Sequence, residues 1–274
     1  MRGDVDEVDG PVNADLFGSD KAQQAIELLQ TLEPDEGYYV AFSGGKDSTV
    51  ILDLIKRAGV KYDAHYSASV PDPPELRLHI RKHYPEVAWD FADTTMWRLI
   101  VKKRYPPTRI ARYCCQVLKE TGGVGRKVVT GVRWAESAKR SKRRQVEACY
   151  TGKKVYVNPI INWTDDEVWQ YIRERELPYC SLYDEGWKRL GCVMCPMGGS
   201  QRMARDAARW PKIADAYRRA CGRSLNKAID DGLERPEWRR DSDDMYDWWV
   251  NTENAPRGDE NESLWDEETE EVLR

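Results

Sequence analysis

The 274-residue chain contains no stretch approaching the ~18 to 20 uncharged apolar residues that a membrane helix needs. Its amino terminus, Met1-Arg2-Gly3-Asp4-Val5-Asp6, is acidic where a secretory signal would be basic and then apolar, so a soluble cytoplasmic protein with no membrane partner is expected. Histidine is scarce. His65, His79 and His83 are the only three, they lack metal-like company, and none is assigned a catalytic role. There is no internal repeat. Seven cysteines in a reducing compartment do not read as a disulfide framework, which excludes the small secreted scaffolds and turns attention to cysteine spacing.

With 41% hydrophobic and 33% charged residues, the chain can bury one core of roughly 150 to 220 residues with peripheral additions. The net charge of -4 hides a segregation: residues 1–20 carry -5, residues 231–274 carry -11, and the stretch between carries +12. A basic centre between acidic ends fits a polyanionic ligand, whether nucleotide or nucleic acid; acidic tails that only keep a basic protein soluble fit equally. The expected organisation is an acidic leader over 1–18, a main domain over 19–230 and an acidic, Trp-bearing extension over 231–274. That extension, with Trp238, Trp248, Trp249 and Trp265, is too aromatic for a plain disordered tail and too charged for a core, so a loosely packed helical segment is expected.

Ser19 is a candidate N-cap for a helix over 20–32, whose Ala22, Ala25, Ile26, Leu29 and Leu32 repeat at helical spacing. Tyr38-Tyr39-Val40-Ala41-Phe42 reads as a short apolar strand. A helix follows through Val50, Ile51, Leu54 and Ile55 to Gly59. Strands near 61–66, 87–91 and 127–131 alternate with helices over 75–83 and 95–103, and Thr164-Asp165-Asp166-Glu167 is a capping box opening a helix over 165–175. This alternation predicts an α/β fold with a parallel twisted sheet and helices on both faces. Trp163, Trp169, Trp187 and Trp210 fit core or cap packing better than base stacking.

Between the first strand and its helix lies Ser43-Gly44-Gly45-Lys46-Asp47-Ser48. Two glycines let the backbone approach a phosphate, and the helix N-terminus offers free N–H groups to the anion. Ser43 and Ser48 add hydroxyls, Lys46 a cation, and Asp47 a carboxylate for Mg2+ or for orienting pyrophosphate. The spacing is not that of a Walker loop. Cys114-Cys115 and the later Cys192-Val193-Met194-Cys195 supply four thiolates, enough for tetrahedral zinc or a 4Fe-4S cluster; adjacent cysteines suit two irons of one cluster better than one zinc. Cys180 and Cys221 sit among apolar neighbours as core residues, and Cys149, next to a basic run, is a candidate reactive thiol.

The Ser43–Ser48 segment resembles the PP-loop, SGGxDS, of ATP pyrophosphatases and adenylyl-sulfate reductases. In that family the turn grips the nucleotide's phosphates while the first strands hold the adenine. The tandem cysteines followed by Cys-x-x-Cys are similar to the cluster ligands of the phosphoadenosine phosphosulfate reductase relatives, so the resemblance implies a 4Fe-4S cluster on Cys114, Cys115, Cys192 and Cys195, with Lys119 near cluster and nucleotide. Gly131-Val132-Arg133 follows a strand end, where an open α/β sheet binds ligands. It resembles the family's GxR segment, which makes Arg133 the candidate clamp on a phosphate or sulfate. Asn158–Thr164 and Leu182–Trp187 also look like pocket segments of the family, and the resemblance spans about residues 37 to 222.

One departure matters. The sulfonucleotide reductases similar to this core carry a nucleophilic cysteine in a Glu-Cys-Gly-Leu-His segment, and no cysteine follows Cys221 here. The expectation is therefore an ATP pyrophosphatase yielding AMP and pyrophosphate, similar to the proteins of bacterial DNA phosphorothioation of the DndC and SspD type. A cysteine desulfurase would be the sulfur donor and DNA, or a DNA-binding modification complex, the acceptor. Lys139-Arg140-Ser141-Lys142-Arg143-Arg144 would then meet a phosphate backbone, or be a solvated loop. Two alternatives stay open: a sulfonucleotide reductase using another thiol, such as Cys149 or a partner's, and a noncatalytic ATP-sensing module.

Overall fold

In the computed structural model, which describes residues 20–68, 71–150, 153–232 and 240–251, the alternation read from the sequence becomes a six-stranded sheet. The strands are β1 (Tyr38–Ala41), β2 (Tyr62–Ser67), β3 (Ala88–Asp90), β4 (Lys127–Val129), β5 (Val146–Cys149) and β6 (Lys154–Val157), in the order β3-β2-β1-β4-β6-β5. The first five in that order pair in parallel. β5 departs from the expected all-parallel sheet: it is an antiparallel edge strand, Val146 facing Val157 and Cys149 facing Lys154. The β5–β6 hairpin escaped the sequence reading because its strands are four residues each and flank polar loops, leaving too short an alternation to stand out.

The chain divides into two compact units. The first comprises the described residues of 20–96 and 113–192 and holds the whole sheet. Tyr38 and Val40 on β1 and Val128 and Val129 on β4 are buried, as are Val50, Ile51, Leu54 and Ile55 of the helix that follows β1. Burial of each such side chain contributes about 1.5 to 3 kcal/mol. α1 (Lys21–Thr31) packs Leu29 and Ile26 into this core, and its N-cap is Asp20 rather than Ser19: the Asp20 carboxylate accepts from the N–H groups of Ala22 and Gln23. α2 (Lys46–Ala58) ends at Gly59 as expected. α3 (Pro74–His83) precedes β3, α4 (Met96–Lys103) crosses from the first unit into the second, and α5 (Tyr113–Leu118), not anticipated, carries Cys114 and Cys115. The capping box at the head of α6 (Asp165–Glu174) forms in full, with Glu167 N–H donating to Thr164 Oγ1 at 3.2 Å and Thr164 N–H donating to Glu167 Oε2 at 2.7 Å.

The second unit takes 97–112 and the described residues from 193 on. α7 (Gly199–Arg209), α8 (Pro211–Asp230) and α9 (Ser242–Val250) supply its helices. Part of the acidic extension is here a core element, contrary to expectation. Trp249 is fully buried against Tyr217, and its indole N–H donates to the Pro107 carbonyl at 2.7 Å, so one face of a charged helix is anchored by an aromatic with a satisfied polar atom. Trp238, Trp265 and the leader 1–18 lie outside the described residues. Among those described, no helix is long and apolar enough to cross a membrane.

Candidate active site

Between β1 and β4 the strand order reverses, and open α/β sheets bind ligands in the crevice at the carboxyl ends of the strands at such a point. The turn after β1 is built for an anion. Gly44 has φ +72, and a Cβ there would lie 2.6 Å from Ile80 and 2.9 Å from Leu76 of α3, so only glycine lets the turn close against that helix. Ser48 braces it: its hydroxyl donates to the Gly45 carbonyl at 2.9 Å and accepts the Ser43 N–H at 3.2 Å, with Ser43 Oγ 3.1 Å away. α2 then starts at Lys46 with its N-terminal N–H groups at the turn.

The turn after β4 meets this one through Gly131. A Cβ on Gly131 would stand 3.0 Å from the Asp47 backbone and Cβ, a contact that admits no larger residue without displacing the first turn of α2. Arg133 then reaches under the turn. Its Nε donates to Asp47 Oδ1 at 2.7 Å, Nη2 to Asp165 Oδ1 at 2.7 Å and Nη1 to the Trp163 carbonyl at 3.2 Å. Lys46 Nζ lies 2.9 Å from Asp165 and 3.3 Å from Asp47. Two cations and two carboxylates thus form one lattice. Burial disfavours the Arg133 cation, but Asp47 and Asp165 hold it charged. Burial works upward on Asp165, and the Lys46 and Arg133 partners outweigh it and hold that carboxyl below its ordinary range.

The expected role of Arg133 needs correction. At 2% exposure, with Nε and both Nη atoms engaged within the protein, it does not present an open fork to a ligand; it positions Asp47 and Asp165. Lys46, 5% exposed and held by Asp165 and Asp47, is enclosed in the same way, which leaves the N–H groups at the start of α2 as the positive face of the turn. One member is missed from the sequence: Asp165 reads there only as the first residue of α6, although an acid opening a capped helix is the available signal. Tyr183, half-buried and inside the Leu182–Trp187 segment expected to shape the pocket, accepts the Lys46 backbone N–H on its hydroxyl at 2.9 Å from 137 residues away, a partner that no local pattern names. Burial pushes that hydroxyl well above its ordinary range, so it stays protonated.

Within the first unit, Cys115 and Cys192 share Lys119 as a neighbour. Ser67, the last residue of β2, donates to the Lys119 carbonyl at 3.4 Å. Lys119 as a whole is an exposed residue. Crowding by protein disfavours its charge, but Cys192, Asp72 and Cys115 together raise it above the ordinary lysine range, Cys192 also by a hydrogen bond. Cys114, Cys115 and Cys192 are half-buried in the first unit, while Cys195 belongs to the second. Among the described residues no three His, Cys, Asp or Glu side chains stand as ligands of a single ion. Thiolates around a cubane are spread more widely than ligands of one ion, and Cys115 and Cys192 facing one cation are a donor set that fits a cluster carrying net negative charge. Asp47 and Asp165 are both paired with Arg133, so Mg2+ there would need phosphate oxygens for the rest of its ligands, its usual mode of binding.

The remaining cysteines separate by position. Cys180 and Cys221 are buried, as expected of core residues, and burial pushes Cys221 up to about 12. Cys149 pairs with Lys154, the first residue of β6, which places it at the opposite end of the parallel strands from the phosphate turn. It is out of line with a nucleotide held there. Of the histidines, His65 lies between Asp63 and Asp90 and stacks on Tyr39 at 4.4 Å, and His79 is buried.

Fold and site together define a PP-loop nucleotide-binding α/β domain. Residues 37–198 match the phosphoadenosine phosphosulfate reductase domain, and the chain belongs to that family. It is 29% identical over 231 residues to the adenosine 5'-phosphosulfate reductase of Oceanobacillus iheyensis, covering 76% of this chain and 91% of that protein. It is also 29% identical over 174 residues to a probable FAD synthase of Caenorhabditis elegans, covering 62% of this chain and 32% of that one. Among solved structures, the phosphoadenylyl-sulfate reductase of Candida auris in its phosphate complex aligns with a TM-score of 0.49 at 20% identity, over 62% of this chain and 87% of that chain.

Proposed function

We propose that this chain is an enzyme acting on an adenylyl nucleotide at its α-phosphate. The observation that carries this is the Lys46–Asp47–Arg133–Asp165 lattice set under a helix N-terminus at the sheet's switch point. The α2 N–H groups take the negative charge that builds on the α-phosphate oxygens when the bond beyond them breaks, and Lys46 adds its field from beneath the turn. Arg133 holds Asp47 and Asp165 in place. Ser48 keeps the turn closed.

The reading put first is reduction of adenylyl sulfate, because adenosine 5'-phosphosulfate reductases are among the chain's relatives. A thiolate attacks the sulfate sulfur, and the bond to AMP breaks with its electron pair leaving on the α-phosphate oxygen. A second thiol then releases sulfite and a disulfide, so sulfur gains two electrons and two thiols are oxidised. The thiols come from a separate dithiol reductant. A 4Fe-4S cluster held by Cys114, Cys115, Cys192 and Cys195 would supply one-electron chemistry and a fixed charge beside Lys119.

The second reading is cleavage of ATP to AMP and pyrophosphate with Mg2+, in support of sulfur transfer from a cysteine desulfurase to nucleic acid such as DNA. What favours it is the cysteine census: apart from the four paired thiols, Cys180 and Cys221 are buried and Cys149 is at the far end of the sheet. The test offers adenylyl sulfate with a dithiol reductant, and ATP with Mg2+, in parallel to anaerobically purified protein. Sulfite release supports the first reading and pyrophosphate release the second; nucleotide binding with neither product overturns both in favour of a sensing module.

A further inference from the structure

The basic run 139–144 is not absorbed by the nucleotide site. Arg140 pairs with Glu136, and Arg143 pairs with Glu147 while lying over the Tyr156 ring, so two of its five cations are answered by the loop's own carboxylates. Lys139, Lys142 and Arg144 are exposed and have no ion-pair partner among the described residues. Beside them stands Trp134, 44% exposed, whose indole N–H donates to the Arg143 carbonyl at 2.8 Å and so fixes the ring to the basic loop. Trp134 adjoins Arg133 of the site. From Arg144 the chain enters β5, the sheet's free edge, where Val146 and then Tyr150, 90% exposed, face outward.

Uncompensated cations could serve any polyanion, whereas the Trp134 ring, held in solvent beside them, offers a flat face on which a base can stack. We propose that loop 134–144 and the β5 edge form a track for single-stranded nucleic acid that begins next to the nucleotide site, with Lys139, Lys142 and Arg144 on phosphates and Trp134 under a base. A duplex keeps its bases stacked and hidden, and an acidic peptide does not carry a ring beside each backbone charge. The track does not depend on which anionic group the nucleotide carries, so it stands or falls apart from the proposed reaction.

The test is fluorescence anisotropy of a labelled oligothymidylate of about 20 nucleotides with the full-length protein. Three phosphate contacts predict a log–log salt slope of about -2 between about 50 and 200 mM salt. Lys139→Glu, Lys142→Glu and Arg144→Glu combined should flatten that slope by about 2 and weaken binding at least ~30-fold at the low-salt end. Trp134→Ala should weaken it ~5- to 100-fold, with Trp134→Phe recovering most of the loss. Thermal melts and nucleotide turnover of the triple variant should match the parent, which separates loss of the track from loss of the fold or of the reaction. Absence of binding at low salt, an unchanged slope in the triple variant, tighter binding of a matched duplex, or equal competition by polyglutamate would each overturn the proposal.

Discussion

The two ends of the parallel sheet use the same residue types for different work. At the carboxyl end, Lys46 and Arg133 face Asp47 and Asp165 under the start of α2 and form one lattice of ion pairs. At the amino end, Arg126 forks onto Asp63 and the Gly37 carbonyl, Lys127 donates to the Leu32 carbonyl and Lys154 to the Glu120 carbonyl. Those cations tie loops together. The amino end also has an open depression of about 400 Å³ lined by Arg126, Lys127, Cys149 and Lys154. Charge and a cavity are therefore not what distinguishes the site. Helices that follow parallel strands point their N-terminal N–H groups at the carboxyl end alone, and only there do side chains and backbone converge on an anion.

The contrast breaks most visibly at Asp47. Asp47→Ala should lower sulfite or pyrophosphate release by at least ~100-fold, as expected for a group that organises charge at the reacting phosphate; steady-state rates with both substrates check this, and a change below ~10-fold would remove Asp47 from the reaction. Cys192→Ser should come next, with most of the iron and the visible absorbance lost from anaerobically purified protein. Retention of iron would sink the cluster reading for this cysteine set.

A smaller effect is expected at Asp165. Its folded pKa lies below the unfolded value, so its contribution to stability is present above the unfolded pKa of about 3.9 and is lost as pH falls through the folded one. Asp165→Asn should therefore melt lower than the parent at neutral pH, with the gap closing below about pH 4; melting curves across that range decide, and a gap independent of pH would refute the ion-pair account. The smallest effect belongs to the amino end. Cys149→Ser should leave iron content and turnover unchanged, and a clear drop in either would mean that the two ends are not functionally separate.

Much of this was legible beforehand. The strand–turn–helix around Ser43–Ser48, the Gly59 stop and the capping box at Thr164 are local, set by residues within a few positions of one another, and each formed as expected. Asp20 displaced Ser19 as the cap because an aspartate one residue on reaches two N–H groups of the first turn. The β5–β6 hairpin and α5 were too short to show a period.

By itself the sequence determined the phosphate turn, its glycines and the paired cysteines, because a tight turn, a helix N-terminus and a thiolate set are properties of residue type and near spacing. Only the tertiary structure decided what Arg133 does, that Asp165 joins the site, which atom Tyr183 meets there, and that Cys149 stands away from it. Those depend on which strand ends meet at the switch point, and parallel pairing brings β1 and β4 together across nearly ninety residues of chain.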